Sequence, residues 1–425
     1  MIKTPLLNLI NKLFLLQRYI ISDGFDEALQ EIRKQYPVKV FKVPTGTRCW
    51  DWVIPKKWIC KDGWIKDLKG RTYISFQNKP IHIVEYSHPI NQIVSRKTLF
   101  EHLHTHSKNK NAIPYVYKFY DKTWGFCCSQ KQKAKLIKKK YRVFINSEFR
   151  NGHLKIGEYF IKGQSNQIVV LAAHLCHPHT ANDDLSGVAV GLEVMKKLEQ
   201  MKTRKYSYLL LLVPETIGSI AWLNKKWHLR KNIIGGIFLE MLGQRRPFSL
   251  ALSRKGNSIL DDIVSFVIKK QETKSLIKPF GEFILNDELE FNSPNINIPM
   301  MSLSRVFPRS SPKFPYPEYH THLDSPDILC EKTLRRSCDA ISEALWMFDN
   351  NITIKSKRKG QICLSKYGLY PKDNADLASK TIRFIAELDG QSSIFEISQK
   401  QNVDFRILKN ISDKLIKNNL VKIVT

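Results

Sequence analysis

No two cysteines in the chain are spaced as C-x-x-C, no apolar run approaches the length of a membrane span, and nothing repeats at a solenoid period. The first absence excludes modules built on that motif and leaves eight cysteines, two adjacent in GFCCS, as buried free thiols in a reducing cytosol. The other two exclude a spanning helix and a repeat array. No leader is expected either: MIKTPLLNLINKLFLLQRYI is interrupted by Lys12 and Arg18, and no small-residue cleavage site follows it. In that stretch Leu6, Leu7, Ile10, Leu13 and Phe14 recur at helical spacing, which predicts an amphipathic helix packed on a domain. Acidic residues are scarce, 39 against 68 Lys and Arg, for a formal charge of +29. Such an excess raises nucleic acid as a partner. The lysines are scattered among Ile and Asn, however, and only KQKAKLIKKKYR (131–142) is a basic run, so a solvated basic face is the default.

What is present suggests two or three domains in 425 residues. FDEALQEIRKQY places Phe25, Ala28, Leu29 and Ile32 on one helical face, and PVKVFKV alternates as a strand. Residues 48–140 are rich in Trp, Tyr, Pro and short β-like runs such as RTYISF and IHIVEYS, which predicts an inserted β-rich domain. Its aromatics in CWDWVIPKKW and KTWGFCC are expected to form its own core. Residues 1–47 and 141–352 are expected to build an α/β domain: runs such as QIVVLAA, YSYLLLLVP and IIGGIFLEML alternate with helical patterns, so the sheet should be largely parallel. Residues 356–425 read helix, helix, helix, strand, an order that resembles a winged helix.

In a sheet of this kind ligands gather at the carboxyl ends of the strands. Four turns there carry metal-capable or acid–base groups. The first, AAHLCHPHTANDDLSG, offers His174, His177 and Asp183, whose imidazole nitrogens and carboxylate suit zinc; Asn182, Asp183 and Asp184 would equally serve as turn residues and a cap for a helix starting near Ser186. The second, LLLLVPETIGS, places Glu215 past a central strand, as a helix N-terminal charge, a general base or a ligand. In the third, GIFLEMLG, Glu240 interrupts an apolar strand end and needs a partner, a metal among the candidates. The fourth, YPEYHTHLDSPDIL, contains His320 and His322 among three carboxylates, Glu318, Asp324 and Asp327.

These motifs in this order resemble the zinc aminopeptidases of the M28 clan, whose pattern runs H-x-D, G-A-x-D-x-x-S-G, E-E, D-M-x-G and H-T-x-x-D. WDWVIPKKW, IPYVYKFYDKTWGFCCS, GHLKIGEYFIKG, HLCHPHTANDDLSG, PETIGS and PEYHTHLDSPDIL together are more similar to the bacterial aminopeptidase-like family DUF4910, with its inserted DUF2172 domain and winged-helix tail. The resemblance implies a three-layer α/β/α core with a mixed, largely parallel sheet, and one or two zinc ions. It matches Asp183 to the aspartate that bridges two metals, His320 to a ligand histidine, and Glu240 to the position of the D-M-x-G aspartate. Two departures stand out: Cys176 replaces the aspartate of H-x-D if His174 is the ligand, with His177, nearer Asp183 and past the strand, favoured instead, and a single Glu215 stands where the clan has two glutamates, base then ligand.

The function expected is metal-dependent hydrolysis of an amide bond in a small peptide or amino-acyl compound. Glu215 would be the catalytic base; Arg305 and His322 would stabilise an oxyanion or hold a substrate carboxylate, with a solvated surface cation as the other reading of Arg305. Asp287 and Glu288, in LNDELEFNSP, are candidates to bind the substrate amine. The alternative is a degenerate peptidase-fold binding or regulatory protein, whose helix DFRILKNISDKLIKNN offers Arg406, Lys409 and Lys414 to nucleic acid or protein, with Asp404 and Asp413 weakening the phosphate-binding case. A cytoplasmic protein, a small substrate and a homo-oligomer are expected; nucleic acid enters only through the winged helix, and a membrane is not expected.

Overall fold

The computed structural model describes residues 5–424. They form two compact units that divide between Ile341 and Ser342, within the helix Glu331–Asn350.

The first unit is built on an eight-stranded sheet. Its strands, in chain order, are β1 (Lys39–Pro44), β2 (His153–Ile161), β3 (Ile168–His174), β4 (Ser207–Val213), β5 (Ile233–Leu239), β6 (Ser249–Ala251), β7 (Leu276–Lys278) and β8 (Met300–Ser304). They lie in the order β1-β2-β4-β3-β5-β8-β6-β7. The centre is parallel, β4 to β3 to β5 to β8, and β1 and β2 add antiparallel to one side. Every residue of β3 and β4 is buried. Alternate residues of a strand face opposite sides, so both faces of the sheet are covered and the three-layer expectation holds. On one helix, α1 (Pro5–Phe14), Leu6, Leu9, Ile10 and Leu13 are buried, as helical spacing predicted for three of them. A second, α2 (Asp23–Arg33), is capped by Ser22 and buries Phe25, Ala28, Leu29 and Ile32.

Between β1 and β2 the chain makes a separate four-stranded antiparallel sheet from Thr72–Ser75, Lys57–Lys66, Lys140–Arg150 and Ile90–Ser95, in that order. The strand Lys140–Arg150 runs past the boundary expected near 141, because Tyr141, Val143 and Ile145 alternate buried with exposed Arg142 and Asn146 on this smaller sheet. The chain rejoins the large sheet only at β2. Of the aromatics here, Trp58 is buried against Tyr19 and Tyr86, but Trp50 is 39% exposed and meets Trp227 from outside the insertion.

In the second unit the strands Thr353–Ser356, Asp389–Ser393 and Val421–Ile423 form an antiparallel sheet beside the helices Ala375–Ala386, Ile394–Gln401 and Phe405–Lys417. The strands at 353 and 389 were not apparent from apolar pattern. On the last helix Lys409 bonds Asp413, and Arg406 lies 4.1 Å from the centre of the Trp346 ring. Among the described residues no helix is long and apolar enough to cross a membrane.

The centre of the large sheet is packed too tightly for one added carbon at β5. A Cβ on Gly236 would collide with the carbonyl oxygen of Val170 and stand 2.6 Å from the Met300 sulfur. Gly236→Ala is therefore expected to destabilise the protein by about 1–3 kcal/mol, despite removing a flexible residue, because a well-packed core resists insertion. Urea denaturation measures this, and an unchanged midpoint would contradict it.

Candidate metal centre

The turns at the strand ends share a backbone feature. His177, Thr216, Met241 and His320 all adopt the left-handed region, with φ of 69°, 59°, 51° and 49°. For residues with a Cβ this costs on the order of 1–3 kcal/mol each and persists only where the surroundings enforce it. Each has a clamp. Arg18 Nη2 donates to the His177 carbonyl at 2.9 Å, and the Thr216 amide donates to Asp287 Oδ1 at 3.1 Å. The Met241 amide donates to Asp184 Oδ1 at 3.0 Å, and the His320 carbonyl accepts from the Tyr115 amide at 2.7 Å.

These turns bring together His174, His177, Asp183, Glu215 and His320. Asp183, 1% exposed, presents Oδ1 to His174 Nε2 at 3.1 Å and Oδ2 to His320 Nε2 at 3.0 Å. His177 Nε2 stands 3.3 Å from Glu215 Oε2. Ligand atoms of His177, Asp183 and His320 all lie within 4.8 Å of one another, as do those of His174, Cys176 and His177. The Nε2 atoms of all three histidines and Oδ2 of Asp183 are buried without a hydrogen-bond partner. They crowd one point without bonding each other, an arrangement that a divalent cation would satisfy. The donor set of imidazole and carboxylate fits zinc.

The electrostatics of Asp183 and His177 agree with this, whereas at His174 burial is outweighed by Asp183 and Cys176, which raise the imidazole. Burial would raise the Asp183 carboxyl, but His177, His174 and His320 together hold it well below its usual range. Burial lowers His177, and His174, His320 and Arg18 lower it further, so its ring is kept neutral, the form that ligates metal. Burial dominates at Glu215 and raises its carboxyl above the ordinary value, although its side chain keeps 21% exposure.

Other predicted residues sit differently. Glu240 belongs to neither ligand group; its oxygens accept from Ser302 Oγ at 2.8 Å and Asn286 Nδ2 at 3.3 Å, and burial together with neighbouring Glu288 raises its carboxyl far up. Glu288 accepts from the Asn286 amide at 3.1 Å. Asp287 keeps one buried oxygen, Oδ2, without a hydrogen-bond partner. His322 points its Nδ1 to the Ile113 amide at 3.0 Å, so this nitrogen is committed to the insertion. Arg305 is neither a substrate cation nor a solvated one. It is 1% exposed, and its guanidinium makes two 2.9 Å bonds to Glu272 and one of 3.0 Å to Ser337, because a cation at the end of a buried strand must be paired. Asp184, one of the expected caps, caps the helix Leu185–Glu199, which starts one residue before Ser186, and accepts from the Gly187 amide at 3.0 Å.

Four residues shape the site without having been given a role in it, although Asp324 closes the H-T-x-x-D motif and Asp184 was a cap candidate. Asp324 accepts from the amides of Asn182 at 2.7 Å and Asp183 at 3.1 Å. Arg18 donates to the carbonyls of Leu175, Cys176, His177 and Thr180 and so pins the whole turn. Asp184 ties the first turn to the third. Tyr115, from the insertion, packs its ring 5.0 Å from His177 and 5.6 Å from His320 and gives its hydroxyl to buried Glu85. A charged residue amid apolar sequence, as Arg18 is, was the available signal; Tyr115 lay inside a quoted motif but carried none of its own.

A mixed eight-stranded sheet with metal-capable groups at its strand ends defines an aminopeptidase-like α/β protein. Its architecture is similar to that of BSAP, a zinc aminopeptidase from Bacillus subtilis, with a TM-score of 0.61 at 14% identity over 80% of this chain and 93% of that one. Residues 7–351 match the model described as a domain of unknown function (DUF4910), and the chain belongs to that family. It is 32% identical over 423 residues, 98% of this chain and 96% of the relative, to a "putative polysaccharide biosynthesis protein with aminopeptidase-like domain" from Clostridium acetobutylicum. The crystal structure of a putative peptidase from Clostridium acetobutylicum superposes with a TM-score of 0.88 at 32% identity, covering 99% of this chain and 96% of that one.

The four-carbonyl grip of Arg18 makes a direct prediction. Arg18→Met keeps much of the volume but strands buried acceptors, at about 1–3 kcal/mol for each group left unsatisfied. We expect a loss of about 3 kcal/mol in urea denaturation and weaker metal retention, since the turn that carries His177 loses its anchor. A variant as stable as the parent would show that the carbonyls find other donors.

Proposed function

We propose that the protein is a metal-dependent aminopeptidase-like hydrolase that cleaves an amide bond of a small peptide or amino-acyl compound. The observation that carries this reading is the group His177, Asp183 and His320, its ligand atoms within 4.8 Å of one another and lacking partners, with Glu215 beside it. His177, Asp183 and His320 would hold zinc, with His174 on the remaining side of Asp183. When bound, such an ion acidifies water and polarises a carbonyl as a Lewis acid.

The chain's own groups supply the rest. Glu215 is the general base: its carboxylate is partly exposed at the mouth of the cluster, and it takes the proton of the attacking water and returns it to the leaving amine. The partnerless Oδ2 of Asp287, whose other oxygen braces the Thr216 amide, accepts from the substrate ammonium. The insertion walls the site, since residues 113–115 pair with 320–322 through a Pro114–Thr321 bridge and the bonds of Tyr115 and Ile113. This supports an inserted domain that limits substrate size. Residues 356–425 are read as a winged-helix-like packing module; the commitment of Lys409 to Asp413 and of Arg406 to the Trp346 face argues against a nucleic-acid helix. A cytoplasmic setting is part of the reading, supported by eight free thiols.

The reading is tested by elemental analysis of the protein purified without chelator, together with hydrolysis of aminoacyl p-nitroanilides. Asp183→Asn should bring bound zinc to background, because Asp183 offers an oxygen both to the His174 side and to the His320 side. His320→Ala should weaken zinc binding severely. Glu215→Gln should keep the metal and lower kcat by about 10²–10⁴-fold with little change in KM. Loss of metal in Glu215→Gln would make that residue a ligand, and a parent that takes up no metal on reconstitution would sink the hydrolase reading.

A further inference from the structure

Outside the metal centre, one concavity gathers several cations. Arg245, Arg246, Lys274, Lys332 and Arg336 line an open cavity of 720 Å³ with Cys330 at its wall. The sixth cation there, Arg305, is neutralised by the one carboxylate of the lining, Glu272, through both oxygens. None of the other five forms an ion pair among the described residues, in a structure where exposed lysines elsewhere find carboxylates at 2.6–3.1 Å. Arg246 also keeps a buried Nε without an acceptor, its guanidinium carbon lying over the Phe307 ring 3.2 Å from the centroid.

Five uncompensated cations in a depression are costly unless something anionic joins them, whereas the same charges dispersed on a convex face are not. Three of the five are arginines, whose planar forks match the oxygens of a phosphoryl group better than a lone carboxylate needs. The volume lies within the range of small-molecule sites and is much larger than a single inorganic ion requires. We propose that this cavity binds a phosphorylated small molecule, its phosphoryl oxygens held by Arg245, Arg246 and Arg336 with Lys274 and Lys332 at the rim. The site shares no residue with the His177 cluster, so it stands whether or not the chain is a hydrolase.

Cys330 supplies a reporter. Burial would raise its thiol, but hydrogen bonds from Thr333 and Arg245 outweigh burial and bring it to about 7, so a substantial thiolate fraction is present at neutral pH. The test is the rate of alkylation of Cys330 by iodoacetamide in the full chain, followed by peptide mass spectrometry. Inorganic phosphate, pyrophosphate and sodium chloride are compared at matched ionic strength. Phosphate and, more strongly, pyrophosphate should slow alkylation several-fold relative to chloride. The protection should vanish in a Lys274→Gln, Arg336→Gln double variant, whose two exposed side chains hold no ion pair that folding needs. Equal rates in all three salts would overturn the proposal. So would protection that persists undiminished in the double variant, because the anion would then be held elsewhere.

Discussion

Burial of the Asp183 carboxylate is the constraint on which the rest of the site depends. A carboxylate taken out of water is tolerated only with compensating positive charge or many donors. Here the compensation is arranged on both sides, His174 toward one oxygen and His320 toward the other. Their nitrogens are close but not bonded to it. The main chain under Asp183 is held independently, by Asp324 from the fourth turn and, through Asp184, by Met241 from the third. Fixing the carboxylate therefore fixes the mutual positions of turns that are far apart in sequence.

That arrangement explains why left-handed residues recur where the candidate ligands are. A ligand that must leave a strand and turn back over its end needs a backbone reversal, and His177 and His320 make it without glycine. The imidazoles are thereby aimed by strained backbone rather than by flexible side chains, and each strained residue is held by a hydrogen bond from another segment. The insertion takes part in this. Its Tyr115 amide clamps His320, and its Tyr115 ring lies against both His177 and His320. A segment that looks like an appendage in sequence thus packs against the cluster, within the same compact unit as the large sheet.

The two buried arginines show how position decides the role of one side chain. Arg18 and Arg305 are both 0–1% exposed. Arg18 has no carboxylate partner and satisfies its guanidinium on carbonyls, which organises a loop. Arg305 pairs with Glu272 and organises a strand end. Neither role is available to a solvated cation, and neither is visible without knowing what faces the residue.

The sequence by itself determined the class of fold, since uniformly apolar runs joined through helical patterns are stable only as strands covered on both faces. It determined too that metal-capable groups occur at strand ends, because His174, His177, Asp183, Glu215 and His320 stand in turns directly after such runs or in a motif of resemblance. Local pattern could not assign the strand Lys140–Arg150 to the smaller sheet, because alternation shows that one face is buried and not against what. Only the tertiary structure decided which ligand-type residues converge. Glu240 and Arg305 share the strand-end setting of the others, yet one is turned to Ser302 and Asn286 and the other to Glu272. Convergence depends on contacts between residues a hundred or more positions apart, such as Arg18 with His177 and Asp324 with Asp183, and no local spacing encodes the direction of those approaches.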